Sequence, residues 1–250
     1  MNERDERAAR RGRRRPGAPE PAPPAPERSL SYRHLQNPFE PLRVFSDDQV
    51  AAIHEAALGL LENTGMKVLA ADARTRYGAG GAQVDEASQM VRIDRGLIAQ
   101  SLATTSPSVT LHALDPARSV VLGGRNVALA PTSGPPNIMD TEHGRRAGTL
   151  EDFSNLMKLC QSFDVIHVLG GAVEPQDIPV HIRHLEVMRA QIMLTEKIPF
   201  IFSRGRQQIA DNFSLLRIAH GLDEEEFSRR PCTYTIINTN SPLQLSLIHI

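Results

Sequence analysis

The stretch DVIHVLGGAVEP, residues 164–175, decides the fold. Val165, Ile166, Val168 and Leu169 run with little polar interruption, the mark of a strand buried on both faces. Gly170-Gly171 then ends the run in a turn. Three other segments share this form: 127–130, ending in Pro131-Thr132-Ser133-Gly134-Pro135-Pro136; 199–202; and 234–237, ending in Asn238-Thr239-Asn240-Ser241-Pro242. Between them lie helical patterns. Thr149 with Asp152 forms a capping box ahead of Phe153, Leu156, Met157 and Cys160. Ile182, Leu185, Met188, Ile192 and Met193 share a second helical face, and Ile209, Phe213, Leu216 and Ala219 a third that stops at Gly221. Short apolar strands alternating with amphipathic helices predict parallel βαβ units. No dinucleotide fingerprint and no phosphate loop with its Lys is present. Polar, glycine-rich turns after the strands favour a TIM-type (β/α)8 barrel, truncated after about four strands, since a closed barrel needs eight.

Working back toward the N-terminus, a small α/β region is expected over 29–125, leaving 126–245 as the first half of the barrel. Ser46 with Gln49 caps a helix whose Val50, Ile53, Ala57, Leu60 and Leu61 mark an apolar face, and Gly65 closes it. Strands are expected at 66–69 and 90–93, helices at 71–77 and 95–104, and an alternating strand through Val109, Leu111 and Ala113. A hairpin is expected from Asn137 to Asp140. Residues 1–28 cluster Arg10, Arg11, Arg13, Arg14 and Arg15 before a Pro/Ala/Glu run, so they read as a disordered, solvated tail. Residues 246–250 read as translated cloning sequence rather than native protein.

Lys plus Arg (28) nearly balances Asp plus Glu (29), aromatic residues make up 4% and Trp is absent. That argues against nucleic acid as a partner, because neither a basic field nor a set of stacking rings is available. No apolar run approaches the ~20 residues that span a bilayer. Cys160 and Cys232 match no ligand spacing and read as buried, reduced thiols, consistent with a cytoplasmic protein.

Several blocks together resemble the trimethylamine methyltransferase family. They are Phe45-Ser46-Asp47-Asp48-Gln49-Val50, Leu61-Glu62-Asn63-Thr64-Gly65-Met66-Lys67-Val68 and Leu111-His112-Ala113-Leu114-Asp115-Pro116, then Val121-Leu122-Gly123-Gly124 and Ala130 to Pro136 with Asp140. Gly148 to Asp152, Val173-Glu174-Pro175-Gln176-Asp177-Ile178-Pro179 and Asn240-Ser241-Pro242-Leu243 continue the series. The resemblance implies a barrel enzyme that moves a methyl group from a methylated amine to the cobalt of a corrinoid. That corrinoid is carried by a partner protein, and no cofactor is bound directly. Members run about twice this length, and the full-length form is expected to be a homo-oligomer. The trimethylamine branch carries pyrrolysine in its C-terminal half, whereas relatives without it use quaternary amines such as glycine betaine.

Barrel chemistry sits at the C-terminal ends of the strands. That rule selects Thr132, Ser133 and Gly134; Gly170, Gly171 and Glu174; Ser203 and Arg204; and Asn238, Asn240 and Ser241. The glycines are read equally as plain turns or as room for substrate or a flat corrin ring. Glu174 is read as a surface carboxylate before a partner for an ammonium. Asn238 and Asn240 are stronger candidates, since Asn is a poor strand former. His181 and His184 read as a solvated helix face, without a third metal ligand. His112 and His167 read as hydrogen-bonded interior residues. The four strands lack an interior Lys, which a Schiff-base lyase or aldolase would want; such an enzyme, or an inactive fragment, is the alternative. No catalytic nucleophile is assigned.

Overall fold

The computed structural model describes residues 34–245 apart from Ser133 and Pro135, so the expectations for 1–28 and 246–250 lie outside the described residues. Ser46 forms the expected capping box with Gln49 and opens α1, Asp47–Gly59. A π-helical turn, Leu60–Thr64, extends it to Gly65, whose φ of +81° only glycine adopts freely. The expected core face of α1 is not used here: Val50 is 54% exposed and Ile53 57%. Strand β1 is Leu35–Gln36, β2 is Met66–Val68, β3 is Gln83–Asp85 and β4 is Met90–Arg92. Helices α2 (Ala71–Ala79) and α3 (Arg95–Ala103) follow β2 and β4. In the sheet β4 lies between β2 and β3, antiparallel to both, with Val91 opposite Met66 and Val84. Met66, Val68, Ala73 and Val91 are buried together on it.

Strands β5 (Ser108–Leu111) and β6 (Val120–Gly123) form a hairpin in register Leu111 to Val120. Leu111, Ala113 and Val120 pack on Val168 and Ile198, which laps the hairpin over the strands that follow. Strand β7, Asn126–Val127, pairs antiparallel with β1 instead of continuing to residue 130. The hairpin of β8 (Asn137–Asp140) and β9 (Gly144–Ala147) is present as expected.

Four extended segments then lie side by side in chain order. Leu129 O accepts from His167 N at 2.9 Å, Leu169 N donates to Ile198 O at 2.8 Å, and Ile201 N donates to Tyr234 O at 3.1 Å. Val168–Ile198 and Phe200–Tyr234 are parallel bridges. The expected long strands are therefore reduced to single bridges. The architecture is mixed α/β, with no closed barrel among the described residues.

Helices α4 (Leu150–Ser162), α5 (Val180–Leu194) and α6 (Arg206–His220) pack over these segments. Phe153, Met157 and Val187 bury Leu169 and Val173, while Met188 and Leu216 bury Ile201 and Cys232. A short α7, Glu224–Arg229, was not expected; its sequence signal is the capping box of Asp223 with Glu226. Strand β10, Gln244–Leu245, pairs parallel with β2, so hydrogen bonds cross the boundary drawn at residue 125. Among the described residues no helix is long and apolar enough to cross a membrane.

Candidate functional site

Phe202 organises the strand ends. A Cβ on Gly171 would stand 2.3 Å from the Phe202 Cζ, and one on Gly134 2.6 Å from the same atom. A Cβ on Gly170 would meet the carbonyl oxygen of Pro131 at 2.3 Å. At these positions a Cβ would collide with the Phe202 ring or the Pro131 carbonyl, so packing by itself calls for glycine there. Thr132 contributes its carbonyl, which accepts from Ala172 N at 3.1 Å. Ala172 itself sits at φ +44°, a left-handed conformation that costs a non-glycine residue about 1 kcal/mol or more.

Glu174 is not a surface carboxylate: its side chain is 13% exposed. It accepts from Arg183 at 3.2 Å and is bidentate with Arg204, whose second bond is 3.1 Å. Burial alone would raise the Glu174 carboxyl, but Arg204 and then Arg183 outweigh it and hold it below its usual range. The Arg204 guanidinium also lies 5.0 Å from the centroid of the Phe202 ring. Phe200 meets Phe202 edge to face at 5.0 Å. The backbone of Phe200 is held from behind by buried Gln191, which accepts from its N–H at 2.8 Å and donates to its carbonyl at 3.1 Å.

Behind Glu174, α5 and α6 enclose a small cleft of about 50 Å³, partly open to solvent. Val187, Met188 and Ile201 are among its apolar walls, and His184 of α5 and Gln208 and Asn212 of α6 also line it. The expectation that His184 is solvated is overturned: its side chain is 10% exposed and its Nε2 lies 2.9 Å from Asp211 Oδ2. Helical spacing put His184 on the same face as the exposed His181, and the apolar run hid that α6 would cover it. His184 Nδ1 and Asn212 Oδ1 are buried without a hydrogen-bond partner in the chain.

Ser133 lies outside the described residues, and Ser203 is half-buried beside Arg204. Asn238, Asn240 and Ser241 are exposed, in the turn that leads to β10. None of the three lines the Glu174 cleft. Asn240 and Gln244 exchange backbone hydrogen bonds of 2.7 and 2.9 Å, which close that turn. His167 is an interior residue as read, its Nδ1 accepting from Leu129 N at 3.1 Å. Both cysteines are buried and free, and burial raises the Cys232 thiol to about 11, too high for a thiolate nucleophile.

Lys197 was missed. It is 1% exposed immediately before the bridged Ile198, and its ammonium donates to the carbonyls of Cys160 and Phe163 at the end of α4. It caps a helix C-terminus at the strand entrance, away from the strand ends, where a Schiff base would be useless. Among the described residues no group of three or more His, Cys, Asp or Glu is arranged to hold a metal ion.

A family model described as trimethylamine methyltransferase (MTTB) matches residues 9–248. The chain belongs to the trimethylamine methyltransferase family. It is 30% identical over 202 residues to a glycine betaine methyltransferase of Desulfitobacterium hafniense, covering 80% of this chain and 42% of that protein. It is 29% identical over 205 residues to a trimethylamine methyltransferase MttB of another strain of that species, covering 80% and 40%. A third relative, the L-carnitine:corrinoid methyltransferase of Eubacterium limosum, is 27% identical over 125 residues, covering 50% and 25%. The chain spans about two-fifths of the length of the first two relatives it matches.

The blocks that carry the family resemblance do structural work around this site. Thr149 and Asp152 cap α4, and Arg146 binds Asp152 through both guanidinium nitrogens, at 2.6 and 2.8 Å. Asp177 accepts from Leu150 N at 2.9 Å and Gln176 N donates to Gly148 O at 2.8 Å, so the two blocks lock together. Arg183 also donates to Ile178 O at 2.9 Å, which fixes the loop that presents Glu174.

Proposed function

We propose that this chain forms part of a methyltransferase that takes a methyl group from a methylated amine and passes it to the cobalt of a corrinoid carried by a partner protein. The observation that carries the reading is that one continuous match relates the chain to enzymes named for three different methylated amines, glycine betaine, trimethylamine and L-carnitine. The shared scaffold then positions a methylated nitrogen, while the rest of the donor varies. In this reading the four side-by-side segments are the first half of a (β/α)-barrel, and their C-terminal ends form part of its mouth.

The residues present bind and orient; none of them supplies a nucleophile. The corrinoid, when its partner protein docks, supplies reduced cobalt as the acceptor. With Phe202 filling the gap between Gly134 and Gly171, no residue of this region is assigned to the corrin ring. The half-exposed Arg204 covers one face of the Phe202 ring, and Glu174 holds Arg204 there. An aromatic face suits a methylated ammonium, and a guanidinium suits the carboxylate of a betaine-type donor. Asn238, Asn240 and Ser241 belong to a second, exposed part of the mouth. The full-length enzyme is proposed as a cytoplasmic homo-oligomer.

The protein encoded by the whole reading frame that contains residues 1–250 should methylate cob(I)alamin in the presence of one of the three amines, releasing the amine one methyl shorter. Carbon–carbon cleavage of a carbonyl substrate, with no methylation from any of the three amines, would instead favour the lyase alternative.

A further inference from the structure

Every residue from Gln36 to Ala57 is exposed, and none of the 13 residues of α1 is buried. Yet this stretch carries six large apolar side chains, Phe39, Leu42, Val44, Phe45, Val50 and Ile53. Leu42 is 88% exposed and Phe39 74%. Val50, Ile53 and Ala57 share one helical face at spacings of three and four, while Asp48 and Glu55 lie on the opposite one. Phe45 stands just before the Ser46 cap, the position from which a side chain packs on the fourth helical residue, here Val50. The polar groups are already tied: Arg95 of α3 binds Glu55 and Glu62, and Arg43 binds Asp47.

A helix of this length is marginal in water unless another surface covers its apolar face. The six side chains expose on the order of 800 Å², about what each partner gives to a standard interface. That exceeds the apolar patch a lone soluble chain usually shows. The chain itself offers little to cover it, since residues 2–29 contain no Val, Ile, Leu, Met or Phe. Strand β10 runs parallel to β2 with Leu245 beside Val68, so the chain leaves β10 heading away from Gly65, where the extension of α1 ends. A corrinoid carrier that docks and departs at each methyl transfer suits a smaller contact at the strand ends; an open apolar face of this size suits a lasting partner.

We propose that this face binds a second copy of the chain, the 39–45 arm of each protomer lying against α1 of its partner about a two-fold axis. In such a contact the same residues meet from both sides, so two copies close on each other and leave no apolar face open. This rests on the homo-oligomer proposed above and names its surface. It needs no methyl transfer: an inactive dimer held by α1 keeps this proposal and loses that reading, and an active monomer does the reverse.

The test is analytical ultracentrifugation of the protein encoded by the whole reading frame, as parent, Leu42→Glu and Ile53→Glu. Ile218→Glu serves as a control, because Ile218 is exposed on α6 outside this stretch. The parent should self-associate, and each of the two variants should raise its dissociation constant roughly thirtyfold or more, the effect of losing a central apolar anchor. Ile218→Glu should leave the constant unchanged. Hydrogen exchange on the parent needs no variant to fold: deuterium uptake over residues 39–57 should rise as the protein is diluted through its dissociation constant. A monomeric parent, or uptake that ignores dilution, would overturn the proposal. So would variants that melt earlier at unchanged mass, which would assign the face to another part of the same chain. Unchanged mass with lost binding of the corrinoid protein would assign it to that partner and overturn the proposal equally.

Discussion

A methyl group added at position 171 would stand 2.3 Å from the Phe202 ring, closer than any ordinary carbon contact, and the ring is held by Gly134 on its other approach. Gly171→Ala should therefore lower the unfolding free energy by about 1–3 kcal/mol in urea titration, the usual cost of overpacking. A loss under a few tenths of a kcal/mol would show that Phe202 has room to move. Glu174 makes a different kind of contribution. Glu174→Gln leaves the largely buried Arg183 without its carboxylate, and about 2 kcal/mol should be lost at neutral pH, discounted from the fully buried case because Arg204 is half-exposed. The folded Glu174 pKa is depressed below 4.5, so this stabilisation is present above that value and fades as pH falls through the folded value. The gap between parent and variant should accordingly narrow in acid; a constant gap would mean the carboxylate charge contributes nothing. These roles were only half legible in the sequence. The turn signals at 134, 170 and 171 identified where the glycines are but not why, because the reason is the Phe202 ring 30 or more positions downstream for Gly134 and Gly171, and the Pro131 carbonyl nearly 40 positions upstream for Gly170.

Lys197 shows what pattern reading omits at the scale of elements. A charged residue ahead of an apolar strand reads as a solvated strand entrance, whereas the tertiary fold closes α4 over it and uses it as a C-terminal cap. Burial, and then the charge of Arg118, lowers its pKa from 10.5 to about 8. The native state then binds fewer protons than the unfolded state between those values. The contribution of Lys197 to stability becomes more favourable as pH rises from about 8 toward 10.5. Relative to Lys197→Met, the parent should gain stability across that window in parallel denaturant titrations; parallel curves would contradict the shifted pKa. Capping boxes were the most legible elements, since both partners lie three residues apart: Ser46 with Gln49 and Thr149 with Asp152 form as read. The strands were less so. Their apolar runs at 165–169 and 199–202 predicted neighbours and order, but the backbone pairs them through only one bridge at a time. The partners of β7 and β10 lie some 90 to 180 positions away, beyond any local pattern.

For the whole molecule, acid should be the weak side. His220 is held below its ordinary pKa by burial and then by Arg230 and His112, and His112 by burial and then by Arg230. Depressed histidines favour the native state least when protonated, so stability should begin to fall as pH drops below about 6.5. Glu174 and Asp152, held low by their arginines, add to the loss further down. A melting temperature that is flat from neutral pH to pH 5 would contradict this, and His220→Gln should remove part of the early slope. At this scale the family was legible because many short blocks occur in order, although most of them prove to be caps and loop locks rather than reactive groups. The reactive end of the account rests on Arg204, which Glu174 positions beside Phe202 at the strand ends.

The most direct test is steady-state methyl transfer to cob(I)alamin by the full reading-frame protein, comparing parent with Arg204→Met. Arg204 is 47% exposed, and Glu174 keeps Arg183 as a partner when Arg204 is removed, so the variant should fold with its stability lowered by the loss of one partner. The account predicts a kcat/KM for a carboxylate-bearing donor such as glycine betaine lowered about tenfold or more, measured at a temperature where both proteins are folded. An unchanged kcat/KM would contradict the claim that the Glu174, Phe202 and Arg204 cluster positions the methylated amine.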